Sequence, residues 1–182
     1  MEAAKRKRCW IRPRGRGFPT GLGIGDILYT VVAPENILDL WYLERDQEGS
    51  WDPHLFLQTK FRGRTPRLSP DGRYIAYASN ESGQDEIYVQ PFPERGRRAT
   101  VSNNSGQQPR WSPDGRELFY VEGTTLTAVS VDTGTTFSAR SRTPLFEHPS
   151  LGRSFYPQYD VSADGQRFII PTPVEDAPAP SP

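Results

Sequence analysis

One stretch of this sequence occurs three times, and this repetition restricts the possible folds more than any other feature does. The copies span residues 67–79, 110–121 and, in a weaker form, 160–170. The serine that marks each copy recurs with a period of about 40–50 residues, which suits a unit of four short strands and is too long for a leucine-rich or ankyrin repeat. The sequence therefore predicts a chain built from repeated structural units.

Each copy is centred on a tight turn. The first two copies contain Ser-Pro-Asp-Gly, and the third retains Asp-Gly. Proline presets φ, aspartate can accept a hydrogen bond from a backbone N–H just downstream, and glycine tolerates the positive φ that closes the turn. Short apolar and aromatic runs flank the turns, as expected for antiparallel strands. We therefore assign a structural role to the turn residues. These are Ser69, Pro70, Asp71, Gly72, Ser112, Pro113, Asp114, Gly115, Asp164 and Gly165.

The composition agrees with a β-rich chain. Its 182 residues include 16 glycines and 18 prolines, and 12% of them are aromatic, a mixture that suits a turn-rich all-β fold better than a helical one. No sustained helical periodicity is present, and no apolar run reaches the length of a membrane span. We therefore expect an all-β chain without a membrane span.

The repeat resembles that of a known family. The run Pro-Arg-Trp-Ser-Pro-Asp-Gly-Arg at 109–116, and the strand Glu-Ile-Tyr-Val at 86–89, resemble the WD40-like PD40 repeat of TolB-type β-propellers. The segment 79–93 is similar to bacterial propellers that follow a serine/threonine kinase domain. The resemblance covers residues 26–170 and implies a bacterial, periplasmic or otherwise extracytoplasmic setting. The compartment itself stays unknown, because no signal peptide is recognisable at the N-terminus.

The repeats predict a partial β-propeller made of four-stranded antiparallel blades, about three blades plus an incomplete one. Residues 26–65 form a partial blade without its inner strand, residues 66–107 and 108–153 form full blades, and residues 154–170 supply two further strands. We name the strands of a blade a to d from the inside outward. In the third unit, residues 138–153 are expected to be a loop insertion with only a loose outer strand.

An arc of this size has two open edges, because propellers close with about four to eight blades. Unpaired strand edges are templates for pairing with another chain. We therefore expect the sequence either to be a fragment of a longer protein or to self-associate through its blade edges.

The two termini differ from the repeats in composition. Residues 1–25 carry seven basic side chains and one acidic one, and we expect a disordered tail there. A nucleic-acid-binding arm or a phosphate-binding glycine loop are the alternatives. The rest of the chain is acidic, so a nucleic-acid partner is not expected. The Pro-rich residues 171–182 predict an extended tail, which suits a linker or a ligand of a proline-binding module.

Catalytic and metal-binding patterns are missing from the sequence. His54 and His148 are the only histidines and Cys9 is the only cysteine, which gives no zinc-site spacing. There is no Gly-x-Ser-x-Gly nucleophile motif. We therefore predict that the chain is not an enzyme and that it binds no cofactor and no metal.

The candidate binding site follows from the order of the strands. In a four-stranded meander the b–c and d–a connections share one face, and the Ser-Pro-Asp-Gly turns lie on the other. Loops on a rigid scaffold often carry recognition, and the first of these faces is rich in amides and carboxylates. We predict a partner-binding face, with solvated turns as the alternative. Its residues are Asn80, Glu81, Gln84, Asp85, Asn103, Asn104 and Gln107.

These observations favour a non-catalytic, TolB-like scaffold for protein binding or ligand sensing, whose partner is a protein or a peptide. The alternative is the sensor or gating part of a larger enzyme whose catalytic domain lies outside this chain. The family resemblance points to two such enzymes, a serine/threonine kinase and a hydrolase of the prolyl-oligopeptidase type.

Overall fold

The structure is a computed structural model that describes residues 27–32, 38–46, 48–152 and 157–172. The regular elements among these residues are all β-strands, so this part of the chain contains no helix long and apolar enough to cross a lipid bilayer. The predictions made for the N-terminal 25 residues and for most of the Pro-rich tail fall outside the described residues.

The strands form four antiparallel sheets of three, four, four and two strands, each a simple meander in chain order. This arrangement confirms the prediction of an all-β, partial propeller. The first sheet contains β1 (Ile27–Val32), β2 (Leu38–Arg45) and β3 (Trp51–Leu57); the second contains β4 (Gly63–Leu68), β5 (Tyr74–Ser79), β6 (Glu86–Pro91) and β7 (Ala99–Thr100); the third contains β8 (Gln107–Trp111), β9 (Glu117–Glu122), β10 (Thr125–Asp132) and β11 (Ser138–Glu147); the fourth contains β12 (Asp160–Val161) and β13 (Phe168–Ile169).

The prediction of a loop insertion is wrong for residues 138–147, where the expected loose outer strand is ten residues long. These residues form β11, which pairs with β10 from Asp132↔Ser138 to Thr125↔Glu147 through two register shifts. Most of its side chains are exposed because β11 is the outer edge strand of the sheet. An edge strand with polar side chains on both faces lacks the alternation by which strands are recognised, and the sequence pattern therefore missed it.

Apolar side chains join consecutive sheets face to face. In β5, Ile75 and Tyr77 pack towards the first sheet, whereas Tyr74 and Ala76 pack towards the third. All six residues of β5 are buried, because successive side chains of a strand point to opposite faces and both faces of this sheet are covered. The core is thus a series of layers between neighbouring blades.

The third sheet repeats this division of its side chains. Leu118 and Tyr120 of β9 pack towards the second sheet, and Phe119 packs on the other side against Tyr159 and Phe168 of the last unit. The Phe119 and Phe168 rings meet edge to face with centroids 5.0 Å apart. The short fourth sheet is therefore fixed to the third by aromatic packing.

A closed hydrogen-bond network defines each repeat turn. In the first copy Gly72 N donates to Ser69 O over 2.9 Å, and Tyr74 N donates to Ser69 Oγ over 3.0 Å. The carboxylate of Asp71 accepts hydrogen bonds from Ser69 Oγ at 2.6 Å and from Arg73 N at 3.1 Å. Equivalent bonds recur around Asp114 and Asp164, and the turn glycines have φ of 72°, 70° and 71°. Serine and aspartate together thus fix the angle between strands a and b.

Consecutive turns also contact one another. A Cβ at Gly115 would lie 3.5 Å from Cδ of Pro70, and the turn of the last unit meets the proline of the third sheet in the same way. Arg73 reaches further and donates to the main-chain oxygens of Thr133, at 2.5 Å, and Gly134, at 3.3 Å. The turn side of the second sheet is thereby fastened to the c–d turn of the third.

Gly152 offers a sharp test of this packing. Its φ is 73°, and a Cβ there would lie 1.9 Å from the carbonyl oxygen of Gly123. We expect Gly152→Ala to cost about 1–3 kcal/mol beyond the backbone strain of a left-handed alanine. Gly72→Ala is the matched control, because its φ is 72° and nothing lies within 4 Å of the added carbon. Urea unfolding of both variants measures the difference, and equal losses of stability would contradict the packing.

Asp114 supplies a prediction on acid stability. Hydrogen bonds from the Ser112 hydroxyl and from Arg116 N lower the pKa of its carboxyl. The ionised form therefore stabilises the fold above the unfolded pKa of about 3.9, and this contribution disappears as the pH falls through the lower folded pKa. We expect Asp114→Asn to be less stable than the wild type at about pH 6, with a smaller gap at about pH 2.5. Urea midpoints at the two pH values test this, and a constant gap would refute it.

Candidate partner-binding face

The b–c and d–a connections of the second sheet lie side by side. Residues 80–85 join β5 to β6, and residues 101–106 join β7 to β8. Gly106 N donates to Asp85 O over 2.7 Å, and Val101 N donates to Ile87 O over 2.8 Å. These main-chain bonds hold the two connections as one surface, which we call the amide face.

Asp85 anchors this face to the inner strands. Its carboxylate accepts hydrogen bonds from Arg64 Nη1 at 3.3 Å and from Gln107 Nε2 at 3.4 Å. The side chains of Arg64 and Asp85 are only 11% and 15% exposed, so the pair is shielded from water. Asp85 and Gln107 therefore act within the fold and join strand a of the second sheet to strand a of the third.

Glu81 has an internal partner as well. Arg98 Nη1 donates to its carboxylate over 2.6 Å, and the guanidinium carbon of Arg98 lies 4.6 Å from the centroid of the Tyr88 ring. The predicted acidic site residue is therefore neutralised by an arginine that the sequence pattern did not single out. The only signal in the sequence was the basic run at 95–98.

Two predicted amides brace the loops. Asn80 Oδ1 accepts a hydrogen bond from Arg62 N at 2.8 Å, which ties the b–c loop to the segment before β4. Gln84 Nε2 donates to Glu86 Oε1 over 2.7 Å. Both side chains thus use part of their hydrogen-bonding capacity inside the molecule.

Asn103 and Asn104 differ from the other predicted site residues. Both are exposed, and neither side chain makes a hydrogen bond to the residues that the structure describes. They stand at the tip of the d–a connection, beside the braced b–c loop. The amide face therefore presents two solvated amides on a backbone that its neighbours hold in place.

A buried carboxylate lies beneath this face. Glu86 is 4% exposed and accepts hydrogen bonds from Gln84 and from the hydroxyl of Ser102, and Ser102 Oγ in turn accepts one from Ile87 N at 2.7 Å. Asp85 and Glu86 thus have separate partners, as the alternation of side chains along a strand requires. The role of Ser102 depends on strand pairing and had no signal in the sequence.

Each histidine has a structural contact. The His54 ring stacks on Tyr42 with centroids 5.0 Å apart and lies 3.4 Å from a carboxylate oxygen of Glu44. His148 Nδ1 accepts a hydrogen bond from the main-chain N–H of Ser150 at 3.2 Å. The described residues contain no cluster of three or more His, Cys, Asp or Glu side chains suited to a metal ion.

Comparison with known proteins supports the resemblance read from the repeats. No protein-family model matches the chain. The Tol-Pal system protein TolB of Pseudomonas aeruginosa is 38% identical over 64 residues, which are 35% of this chain and 15% of that protein. The repeats are TolB-like. This TolB-like chain therefore corresponds to a small part of the curated relative that it matches.

One solved structure shows the same fold. A putative 6-phosphogluconolactonase from Bacteroides uniformis superposes with a TM-score of 0.51 and 12% identity, over 80% of this chain and 47% of that one. TolB from Acinetobacter baumannii gives a TM-score of 0.47 and 20% identity, over 80% of this chain and 46% of its own. At such identities the first likeness shows the fold alone. The TolB-like chain spans less than half of either structure.

Ser102 tests the buried network beneath the face. We expect Ser102→Ala to cost about 1–3 kcal/mol, because it removes the partner of Ile87 N and one partner of Glu86. The exposed Ser82, whose hydroxyl donates to Gln84 O over 3.1 Å, is the control, and Ser82→Ala should change stability by no more than about 0.5 kcal/mol. The free energy of unfolding of both variants is the measurement, and equal values would overturn this account of Glu86.

Proposed function

We propose that this TolB-like chain is a non-catalytic propeller scaffold that binds a protein or peptide partner through the amide face. The observation that carries the proposal is the exposed pair Asn103 and Asn104 at the tip of a connection that is hydrogen-bonded to Asp85 and Ile87. Amides supply donors and acceptors at once. They are therefore suited to the main chain of a peptide.

The support beneath these amides favours recognition over a merely solvated turn. A side chain on a fixed backbone loses less freedom on binding than one on a mobile loop, so more of its hydrogen-bond energy appears as affinity. The ion pairs of Asp85 with Arg64 and of Glu81 with Arg98 supply that rigidity. They also neutralise the two carboxylates, so the surface favours an uncharged polar segment over a basic one.

The contacts of the histidines support a non-catalytic role. The imidazole of His54 is stacked on Tyr42, and the imidazole of His148 accepts a main-chain hydrogen bond. A general base for a hydrolase would instead be positioned by hydrogen bonds against a nucleophile. The polar groups of these two rings serve local structure.

The name of the relative assigns it to a system of several components. TolB of Pseudomonas aeruginosa is by name a Tol-Pal system protein, and we infer for this chain that the partner is another protein. The hydrogen bonds of the repeat turns are structural and would form equally within a longer chain. The proposal therefore also accommodates a larger protein in which this arc senses a ligand.

The double substitution Asn103→Ala and Asn104→Ala tests the amide face. We expect it to weaken capture of partners by the immobilised chain about five- to thirtyfold, because the two amides lose about 1–2 kcal/mol of hydrogen bonding between them. Quantitative mass spectrometry of captured bacterial proteins, compared with the wild type, identifies the affected partners. The variant should keep the wild-type melting temperature, because both side chains are exposed.

The matched control is the double substitution Thr135→Ala and Thr136→Ala, on the exposed turn between β10 and β11. This turn lies on the opposite face of the blades, so the control should capture the same proteins as the wild type. A partner set that is unaffected by the asparagine variant, or equally reduced by both variants, would refute the amide face as the binding site.

A further inference from the structure

Charged residues occupy equivalent positions on the inner strands of the last three units. Arg67 of β4 and Arg110 of β8 each stand two residues before the repeat serine, and Asp160 of β12 takes that position in the last unit. β4 and β8 are the edge strands at which their sheets begin, and they contact each other. The three side chains thus lie along the inner edge of the arc.

A strained backbone precedes each arginine. The pairing of β4 with β5 shifts register between Arg64 and Arg67, and the pairing of β8 with β9 shifts at the equivalent place. Within these bulges Thr65 has φ of 48° and Gln108 has φ of 57°. Such values cost energy in residues with a side chain and concentrate at functional sites, and bulges redirect the side chains that follow them. A bulge that contains a residue with positive φ therefore sets the direction of both arginine side chains.

The two arginines differ in their partners. Arg110 Nε lies 3.4 Å from Asp160 Oδ1, and the Arg110 side chain is 12% exposed. Each arginine also donates to the main-chain oxygen of the proline before it, Arg67 to Pro66 over 2.8 Å and Arg110 to Pro109 over 3.2 Å. Arg67 makes no salt bridge to a carboxylate among the residues that the structure describes. The three equivalent positions thus hold two guanidinium groups and one carboxylate.

The surroundings of Arg67 disfavour its charge. Burial and the like charge of Arg110 lower the pKa of Arg67 to about 10, and Asp160 offsets this only in part. The group still carries its proton at neutral pH. A half-buried cation whose charge is only partly offset by a carboxylate is costly in a folded protein, and an anion placed beside it would remove the remaining cost.

We propose that Arg67, with Arg110 beside it, binds the carboxylate or phosphate group of a ligand at the inner edge of the arc. A planar guanidinium donates two parallel hydrogen bonds to either group. This anion site is separate from the amide face, since it is formed by strands a rather than by the b–c and d–a loops. Carboxylate and phosphate share the chemistry, and the experiment distinguishes them.

The test uses the full 182-residue chain at constant ionic strength, titrated with sodium phosphate in one series and sodium succinate in the other. Binding to the folded state raises the melting temperature with a saturable dependence on concentration. We expect such a rise with at least one anion, and we expect Arg67→Gln to abolish it. Arg67→Lys should give a smaller rise, because lysine keeps the positive charge but lacks the planar guanidinium that donates two parallel hydrogen bonds. Arg116→Gln is the matched control, because it removes an exposed arginine from the repeat turn.

Two further readouts keep the outcome decisive. Without added anion, Arg67→Met should melt above the wild type, because it removes a charge that Asp160 offsets only in part and keeps an apolar side chain. In NMR spectra of the wild type, the side-chain Nε–H resonance of Arg67 should shift during the titration. This resonance is assigned by correlation with the backbone resonances of the same residue. A response to phosphate alone or to succinate alone identifies the anion. An unmoved Arg67 resonance with both anions, or an equal rise in melting temperature in Arg67→Gln, would overturn the proposal.

The anion site and the amide face can fail independently. Asn103→Ala with Asn104→Ala should leave the response to phosphate and succinate unchanged, because neither residue lies on strand a. If Arg67→Gln captures the same partners as the wild type, the inner edge serves small anions and takes no part in partner binding.

Discussion

The fold depends on burying both faces of the second and third sheets. A four-stranded sheet whose two faces are both apolar cannot exist alone in water, and Ile75 and Tyr77 on one face of β5 need the first sheet as much as Tyr74 and Ala76 on the other need the third. Burial of such side chains stabilises the fold by about 25 cal/mol for each Å² of apolar surface. The blades are therefore mutually dependent, and each sheet is a part of its neighbours' core.

The repeat turn converts this stacking into a defined geometry. Ser69 and Asp71 accept hydrogen bonds from main-chain donors where strand a turns into strand b. The turn therefore leaves few polar groups without a partner. Because the same network recurs at Asp114 and Asp164, successive strands a end at equivalent places. The alignment of Arg67, Arg110 and Asp160 along one edge is a direct result.

The sequence was sufficient for the fold class and for most strands of the second and third sheets, because the turn residues and the apolar runs are local signals. It failed at β11, where exposed side chains such as Arg140 and Thr143 conceal an edge strand. The candidate face was placed by strand order alone, and its internal chemistry could not be foreseen. The pairing of Glu81 with Arg98, or of Asn80 with the main chain of Arg62, joins residues 17 and 18 positions apart, and such contacts depend on how strands and blades meet.

The contact of Arg73 with the next sheet has a consequence for how such repeats can change. Its guanidinium binds the main-chain oxygens of Thr133 and Gly134 and ignores their side chains. Every residue type has a main-chain oxygen, so these hydrogen bonds depend on the backbone path of the turn and not on its amino-acid sequence. Substitutions in the outer turn of one repeat therefore leave its contact with the preceding repeat intact, as long as the backbone path is kept.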